Sequence, residues 1–139
     1  MFAPTRDQVR QFFSGTWAKY RAGSPLEGLE TMALDVILLH PEYHGTLETP
    51  DSTDRDYTPE NGQINPFLHL SLHLALEEQL SIDQPSGVRS AFDALLGKSA
   101  DRHDALHSAL ECLGEMVWRS QRDGAAPDAQ SYLECLKRQ

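Results

Sequence analysis

Histidine and glutamate recur at one spacing in this chain, and that spacing suits the binding of a metal ion. His69, His73 and Glu77 stand four residues apart within the apolar segment 65–84. A helix turns about 100° per residue, so a step of four places each side chain one turn above the last, about 40° round the axis. The three side chains therefore form one stripe along a predicted helix.

The same spacing occurs twice more, and together the three sets use all 6 histidines of the protein. Two histidines one helical turn apart can bind the same ion, as the paired histidines of zinc metalloproteases do. The HExxH signature of those proteases is absent here, so protease chemistry is not predicted. The further sets are His40, His44 and Glu48, and His103, His107 and Glu111.

Six histidines exceed the ligands that one zinc ion takes, so the pattern favours a dinuclear centre of iron, zinc or manganese. Glu77 and Glu111 lie about 6 Å further along their helices than the second histidine of each pair. That position suits a bridging carboxylate, or an acceptor that orients an imidazole N–H. The ligands that we expect first are His69, His73, His103 and His107, followed by His40 and His44, and then by Glu77 and Glu111.

The histidine pattern has two other interpretations. In a non-enzymatic interaction module, buried histidines would be structural or would sense pH, with carboxylates as hydrogen-bond partners. A metal bound purely for folding would have a complete set of protein ligands, with no position open to water or substrate. The sequence names no reaction or substrate: a redox role would suit iron, and a hydrolytic role would suit zinc.

The remainder of the chain predicts helices that position these residues, and no strand pattern appears. A capping box at Thr5 opens the first predicted helix, which ends at Gly23. Ser24 and Pro25 give an N-cap and a proline at the first helical position, so the second helix should run from there to His40. Pro41 then breaks it. His44 is expected on a turn or short continuation, and Glu48 need not be helical.

Four further helices are predicted, of which the first, from 65 to Pro85, is apolar on all sides and therefore central. The others cover 87–96, 99 or 101 to 122, and 127–137. Residues 46–64 are acidic and polar, and they form either a lid or a flexible loop. We therefore predict an all-α fold: a single-domain helical bundle of about six helices over residues 1–139, with a long acidic loop between helices two and three.

Alternating helix directions would bring the three histidine pairs to one end of such a bundle. The pairs 69/73 and 103/107 lie in the first two turns of their predicted helices, and the pair 40/44 lies at the end of the second helix. A helix N-terminus disfavours imidazolium by about 0.3 to 1 kcal/mol, which favours the neutral imidazole that a metal needs. We therefore expect the pairs to converge on one centre.

Composition narrows the classes of partner. The formal net charge is −9, which repels phosphate backbones, so no nucleic-acid partner is expected. The sequence has no run of apolar residues long enough to cross a membrane and no export signal, so no membrane partner is expected. Cys112 and Cys135 are too few and too isolated for a disulfide framework, which indicates reduced thiols and a cytoplasmic protein. The composition does not indicate a protein partner, a small-molecule partner or the oligomeric state.

The segments HPEYH at 40–44 and NPFLHLSLHLALEEQLSIDQP at 65–85 resemble the signature of a bacterial family of small proteins catalogued as a domain of unknown function. The similarity spans nearly the whole chain, and it implies no activity or ligand set. The predicted bundle also loosely resembles hemerythrin-like and DinB-like metal proteins, which use histidines and carboxylates from several helices. The three HxxxH pairs depart from both of those patterns, so neither activity transfers to this chain.

Overall fold

The computed structural model of the protein describes residues 6–48 and 66–139, and within these ranges every regular element is helical. The prediction of an all-α fold is confirmed. Predicted features at residues 1–5 and 49–65, which include the cap at Thr5 and most of the acidic loop, lie outside the described residues. The elements are α1 (Arg6–Ala22), α2 (Leu29–Leu38), a 3-10 turn (Pro41–Tyr43), α3 (His44–Glu48), α4 (Pro66–Ile82), α5 (Val88–Lys98), α6 (Arg102–Asp123) and α7 (Ala129–Arg138).

Helix α2 begins at Leu29, and the predicted start at Ser24 and Pro25 is wrong. Ser24 instead completes the end of α1: its backbone N–H donates to the carbonyl of Lys19 at 2.9 Å. Gly23 makes this possible by adopting a left-handed φ of 73°, the conformation that commonly ends a helix.

Pro41 divides the second predicted helix, which accounts for seven α-helices in the described residues where about six were expected. The 3-10 turn that follows leads into α3, so His44 begins a separate short helix and Glu48 ends it. Helix α3 is held against α1 at its last residue. The indole Nε1 of Trp17 donates to Glu48 at 3.0 Å, and the guanidinium of Arg21 donates to the same oxygen at 2.6 Å.

The chain divides into two compact units, residues 1–74 and 75–139, and α4 continues through the division. The prediction of one domain over residues 1–139 stays a prediction. In the first unit, α1, α2, α3 and the first turns of α4 contribute to one apolar core, which positions the candidate site described below. The buried residues of that core are Phe13, Trp17, Ala33, Val36, Ile37, Leu47, Phe67, Leu70 and Leu74.

In the second unit, α5, α6 and α7 pack on one another. Their buried side chains include Val88, Phe92, Leu95, Leu106, Leu113, Tyr132 and Leu136. The hydroxyl of Tyr132 donates to Oε1 of Gln79 at 2.7 Å, so this buried polar group is satisfied. Burial raises the pKa of Tyr132, which keeps its phenol protonated.

Cys112 of α6 and Cys135 of α7 form a disulfide, with their Cα atoms 5.7 Å apart. The prediction of two isolated thiols is therefore wrong. The two cysteines are 23 residues apart in the chain, and they meet because α6 and α7 pack side by side. The disulfide removes the argument from cysteine usage for a reducing compartment, and a cytoplasmic location stays a prediction. None of the helices in the described ranges is both long and apolar enough to cross a bilayer.

Asp128 caps the N-terminus of α7, and this contact generates a prediction about pH. Its carboxylate accepts hydrogen bonds from the hydroxyl and the backbone N–H of Ser131, and these bonds lower the pKa of Asp128. A carboxyl whose pKa is lowered by folding stabilises the fold at neutral pH, and that contribution disappears as the pH falls through the lowered pKa. Asp128→Ala should therefore reduce the melting temperature at pH 7 and have a progressively smaller effect toward pH 2.

The matched control is Ser131→Ala, which removes the hydroxyl but keeps the backbone bond. It should move the pKa of Asp128 part of the way back toward its ordinary value, as measured by NMR of the carboxyl carbon. A melting-temperature difference between Asp128→Ala and the wild type that stays constant from pH 7 to pH 2 would contradict this account.

Candidate metal centre

His40 lies just after the end of α2, where the chain turns away from the helix. Its backbone adopts φ −127° and ψ 65°, outside the helical region, and Pro41 follows it directly. Its ring turns back toward the helix, so that Nδ1 lies 2.9 Å from the carbonyl oxygen of Val36. A carbonyl only accepts hydrogen bonds, so Nδ1 carries the hydrogen and the neutral ring presents a lone pair on Nε2. The end of α2 thus fixes both the orientation and the tautomer of His40.

Helix α4 brings two more imidazoles to that lone pair. His69 and His73 lie in its first two turns on one face. The Nε2 atom of His69 lies 3.2 Å from Nε2 of His40 and 3.2 Å from Nε2 of His73. Each of the three side chains offers a nitrogen, and these nitrogens all lie within 4.8 Å of one another. We call His40, His69 and His73 the histidine cluster.

Most of the histidine cluster is shielded from solvent. His73 is 0% exposed and His40 is 1% exposed, whereas His69 is half-buried. Val36, Phe67 and Leu70, which belong to the core, are neighbours of these histidines in the sequence. Burying a polar group in such surroundings costs a few kcal/mol unless it is bound to a partner. The mutual contacts of the three rings are therefore important to the stability of the unit.

Hydrogen bonds between the three Nε2 atoms would be weak. Nε2 of His69 faces two other Nε2 atoms but carries at most one hydrogen, and Nε2 of His40 carries none when that ring is neutral. A single hydrogen shared between two acceptors makes two weak bonds. A cation among the three nitrogens would instead accept a lone pair from each ring, which is the chemistry that this arrangement suits best.

Tyr43 packs against two rings of the cluster, those of His40 and His69. Its ring lies parallel to that of His40, with centroids 5.6 Å apart and planes 10° apart, and it meets His69 edge to face at 5.9 Å. Burial, and to a lesser extent the charge of Glu42, raises the pKa of Tyr43, so its phenol is neutral at physiological pH. Sequence reasoning missed this residue, because the contact depends on the 3-10 turn after Pro41 and not on helical spacing.

His44 is not brought into the cluster, although it stands four residues after His40. Its Nε2 lies 2.9 Å from the carbonyl oxygen of Ile37, and its ring packs on Trp17 with centroids 4.2 Å apart. The carbonyl requires a hydrogen on Nε2, which is the opposite tautomer from that of His40. His44 therefore joins the end of α2 to α1. The geometric reason is again Pro41, since the two residues are not one turn apart on a continuous helix.

The four other predicted ligands, His103, His107, Glu77 and Glu111, belong to the second unit. His103 and His107 pack together on α6 with ring centroids 4.3 Å apart. Glu77 accepts two hydrogen bonds from the guanidinium of Arg102, at 2.9 and 3.1 Å, and Glu111 is exposed on α6. Metal binding by these four residues, and their convergence with the histidines of the first unit, stay predictions.

The fold and the cluster define the class of protein: a helical protein whose N-terminal half brings together three imidazoles, two of them buried. The chain matches, over residues 5–138, the family described as Domain of unknown function (DUF1841). The match covers nearly the whole chain, so the protein belongs to this family, and the resemblance found in the sequence is confirmed. Searches of curated proteins and of solved structures return no match. The looser resemblance to hemerythrin-like and DinB-like proteins therefore receives no support.

The opposite tautomers of His40 and His44 are directly measurable. In the metal-free protein at a pH where both rings are neutral, ¹⁵N NMR should show hydrogen on Nδ1 of His40 and on Nε2 of His44, because each faces a carbonyl through that atom. The two residues are internal controls for each other. Finding the same tautomer at both positions would contradict the site as described.

Proposed function

We propose that the protein binds one ion of a zinc-class transition metal through the Nε2 atoms of His40, His69 and His73. The observation that carries the proposal is the meeting of three Nε2 atoms, across two contacts of 3.2 Å, in a mostly buried position. The hydrogen bond from Nδ1 of His40 to Val36 supports it further, because ligating histidines almost always donate their other N–H to such an acceptor.

The separations between the nitrogens suit direct coordination. Zinc–nitrogen bonds of about 2.0 to 2.1 Å in tetrahedral geometry place neighbouring nitrogens roughly 3.3 to 3.4 Å apart. Adjacent ligands of an octahedral ion with bonds of similar length are about 3.0 Å apart. The contacts of 3.2 Å lie between these two values. Two of the three separations therefore suit an ion of either geometry.

The donor set favours certain metals over others. Imidazole nitrogens suit zinc, copper, nickel and iron, whereas manganese, magnesium and calcium prefer carboxylate and carbonyl oxygens. Within the described residues, no carboxylate belongs to the group of ligand atoms around the cluster. Zinc is therefore our first candidate, and manganese is the weakest of the three metals expected from the sequence. A second ion, as in the predicted dinuclear centre, would require ligands beyond these three histidines.

Zinc titration of untagged, metal-free protein tests the proposal. Isothermal calorimetry should show binding of one ion, and zinc at about 100 times its dissociation constant should stabilise the fold by about 2.7 kcal/mol. His40→Ala and His73→Ala each remove a direct ligand. Loss of a residue that only supports a ligand lowers metal affinity by about 10- to 100-fold, so each of these variants should lower zinc affinity by about 100-fold or more.

His44→Ala is the matched control, because it removes a histidine of the same sequence motif that lies outside the cluster. It should lower thermal stability through loss of the Trp17 contact but leave zinc affinity within about threefold. Equal loss of affinity in His44→Ala and His40→Ala would contradict the proposed ligand set. A second equivalent that disappears in His103→Ala or His107→Ala would instead support the predicted second pair.

No zinc uptake by the wild type would overturn the proposal and favour a metal-free role for the histidines. In that case the cluster should titrate reversibly, and chelators should leave the melting temperature unchanged.

A further inference from the structure

We propose that the disulfide between Cys112 and Cys135 exchanges with a low-molecular-weight thiol, of the cysteine-containing peptide class, that enters a cavity beside it. The cavity has a volume of about 810 Å³ and is lined by residues of α6, of α7 and of the turn between them. Small-molecule sites commonly occupy about 300 to 1,000 Å³, so this cavity is of a suitable size. It lies wholly within the second unit, and the proposal is independent of the metal proposed above.

The cavity is the route by which a thiol reaches the disulfide. Cys112 is 1% exposed and Cys135 is 7% exposed, yet both residues line the cavity. A molecule the size of a short peptide can enter such a space, whereas the active-site thiol of a folded protein is held on a much larger body. A low-molecular-weight thiol is therefore the partner that the burial of the disulfide favours. Cys135 is the more exposed of the two cysteines, so we expect attack at its sulfur.

The charged side chains of the lining suit a peptide that carries both signs of charge. Arg119 pairs with Glu115 at 2.6 Å, and Arg122 pairs with Asp123 at 2.9 Å. These ion pairs are exposed, so a ligand can replace either member of a pair at small cost. The cavity therefore presents cationic and anionic groups to the carboxylates and the ammonium of a thiol such as glutathione.

The side-chain amide of Gln139 supports the departure of one sulfur. Its Nε2 lies 3.5 Å from Sγ of Cys112 and 3.7 Å from Sγ of Cys135. A sulfur in a disulfide is a weak acceptor, whereas a thiolate carries a full negative charge and accepts a stronger hydrogen bond. The amide therefore stabilises a leaving thiolate more than it stabilises the intact disulfide. The shorter contact is to Cys112, which agrees with Cys112 as the leaving sulfur when Cys135 is attacked.

The exchange proceeds in two balanced steps. The thiolate of the small molecule bonds to Sγ of Cys135, the bond between the two cysteine sulfurs breaks, and Cys112 leaves with the electron pair as a thiolate. A second thiolate then attacks the sulfur of the small molecule in this mixed disulfide, and Cys135 leaves as a thiolate. Two small thiols are thereby oxidised to one disulfide. The protein disulfide is reduced to two thiols, which take up the two protons that the small thiols lost.

Reduction of the oxidised protein by glutathione tests the proposal. The reaction is run without oxygen, quenched with acid, digested with pepsin and analysed by mass spectrometry. We expect a rate of reduction that is proportional to the glutathione concentration and is unchanged by urea below the unfolding transition, because the native cavity admits the thiol. A mixed disulfide with glutathione should appear on Cys135 and not on Cys112.

The role of Gln139 is tested with a pair of variants. Gln139→Met removes the amide donor but keeps a side chain of similar length. It should slow reduction by about 2- to 10-fold, the value of one ordinary hydrogen bond, and leave the melting temperature of the oxidised protein unchanged. Gln130→Met is the matched control on α7, because the amide of Gln130 donates to Glu134 at 3.0 Å and not to a sulfur. It should keep the wild-type rate, and an unchanged rate in Gln139→Met would contradict the role of Gln139.

Three results would overturn other parts of the proposal. A rate of reduction that rises steeply with urea would mean that the thiol reaches the disulfide only through unfolding. A mixed disulfide on Cys112 would contradict the direction of attack. Faster reduction by thioredoxin than by glutathione, at equal concentrations of thiolate, would identify a protein thiol as the partner. Zinc binding by the histidine cluster is measured separately, so failure of either proposal leaves the other intact.

Discussion

The arrangement of the first unit depends on the carbonyl groups at the end of α2. A helix terminates with acceptors that have no partner inside it, and Pro41 prevents the chain from continuing the helix to satisfy them. The carbonyls of Val36 and Ile37 accept the backbone N–H groups of Leu39 and His40. The same two carbonyls also accept from the rings of His40 and His44. The bond to Val36 fixes His40 with its remaining lone pair directed at α4. A hydrogen bond to the backbone at the end of α2 thereby orients a candidate ligand.

Two HxxxH pairs in the same unit have different structural roles because of that proline. His69 and His73 lie on an uninterrupted helix, so their rings meet on one face, as the spacing alone requires. The break after His40 places the ring of His44 against Trp17 of α1. The same interruption brings Tyr43 against His40 and His69. Because of Pro41, the residues of one HxxxH motif have three roles: His40 is a candidate ligand, Tyr43 packs against the cluster, and His44 makes a structural contact with Trp17.

Spacing and capping rules predicted the all-α fold, a helix from about residue 65, a helix that ends near residue 122, and the meeting of His40 with His69 and His73. The helices follow from periodicity, a local property of the sequence, and the meeting of the histidines was expected from alternating helix directions in a bundle. The structure differs where two elements share the same residues or meet through tertiary packing. Ser24 completes one helix instead of opening another, and Cys112 meets Cys135 through the register of α6 against α7, which no spacing rule specifies.

Membership of a family without a described activity leaves the chemistry of the histidine cluster as the principal guide to function. X-ray absorption spectroscopy of the zinc-loaded, untagged protein tests the central claim most directly, because scattering from imidazole rings counts the histidines bound to the metal. We expect at least three imidazoles at about 2.0 to 2.1 Å, one fewer in His40→Ala, and no change in His44→Ala. An imidazole count that is the same in the wild type and in His40→Ala would contradict the account.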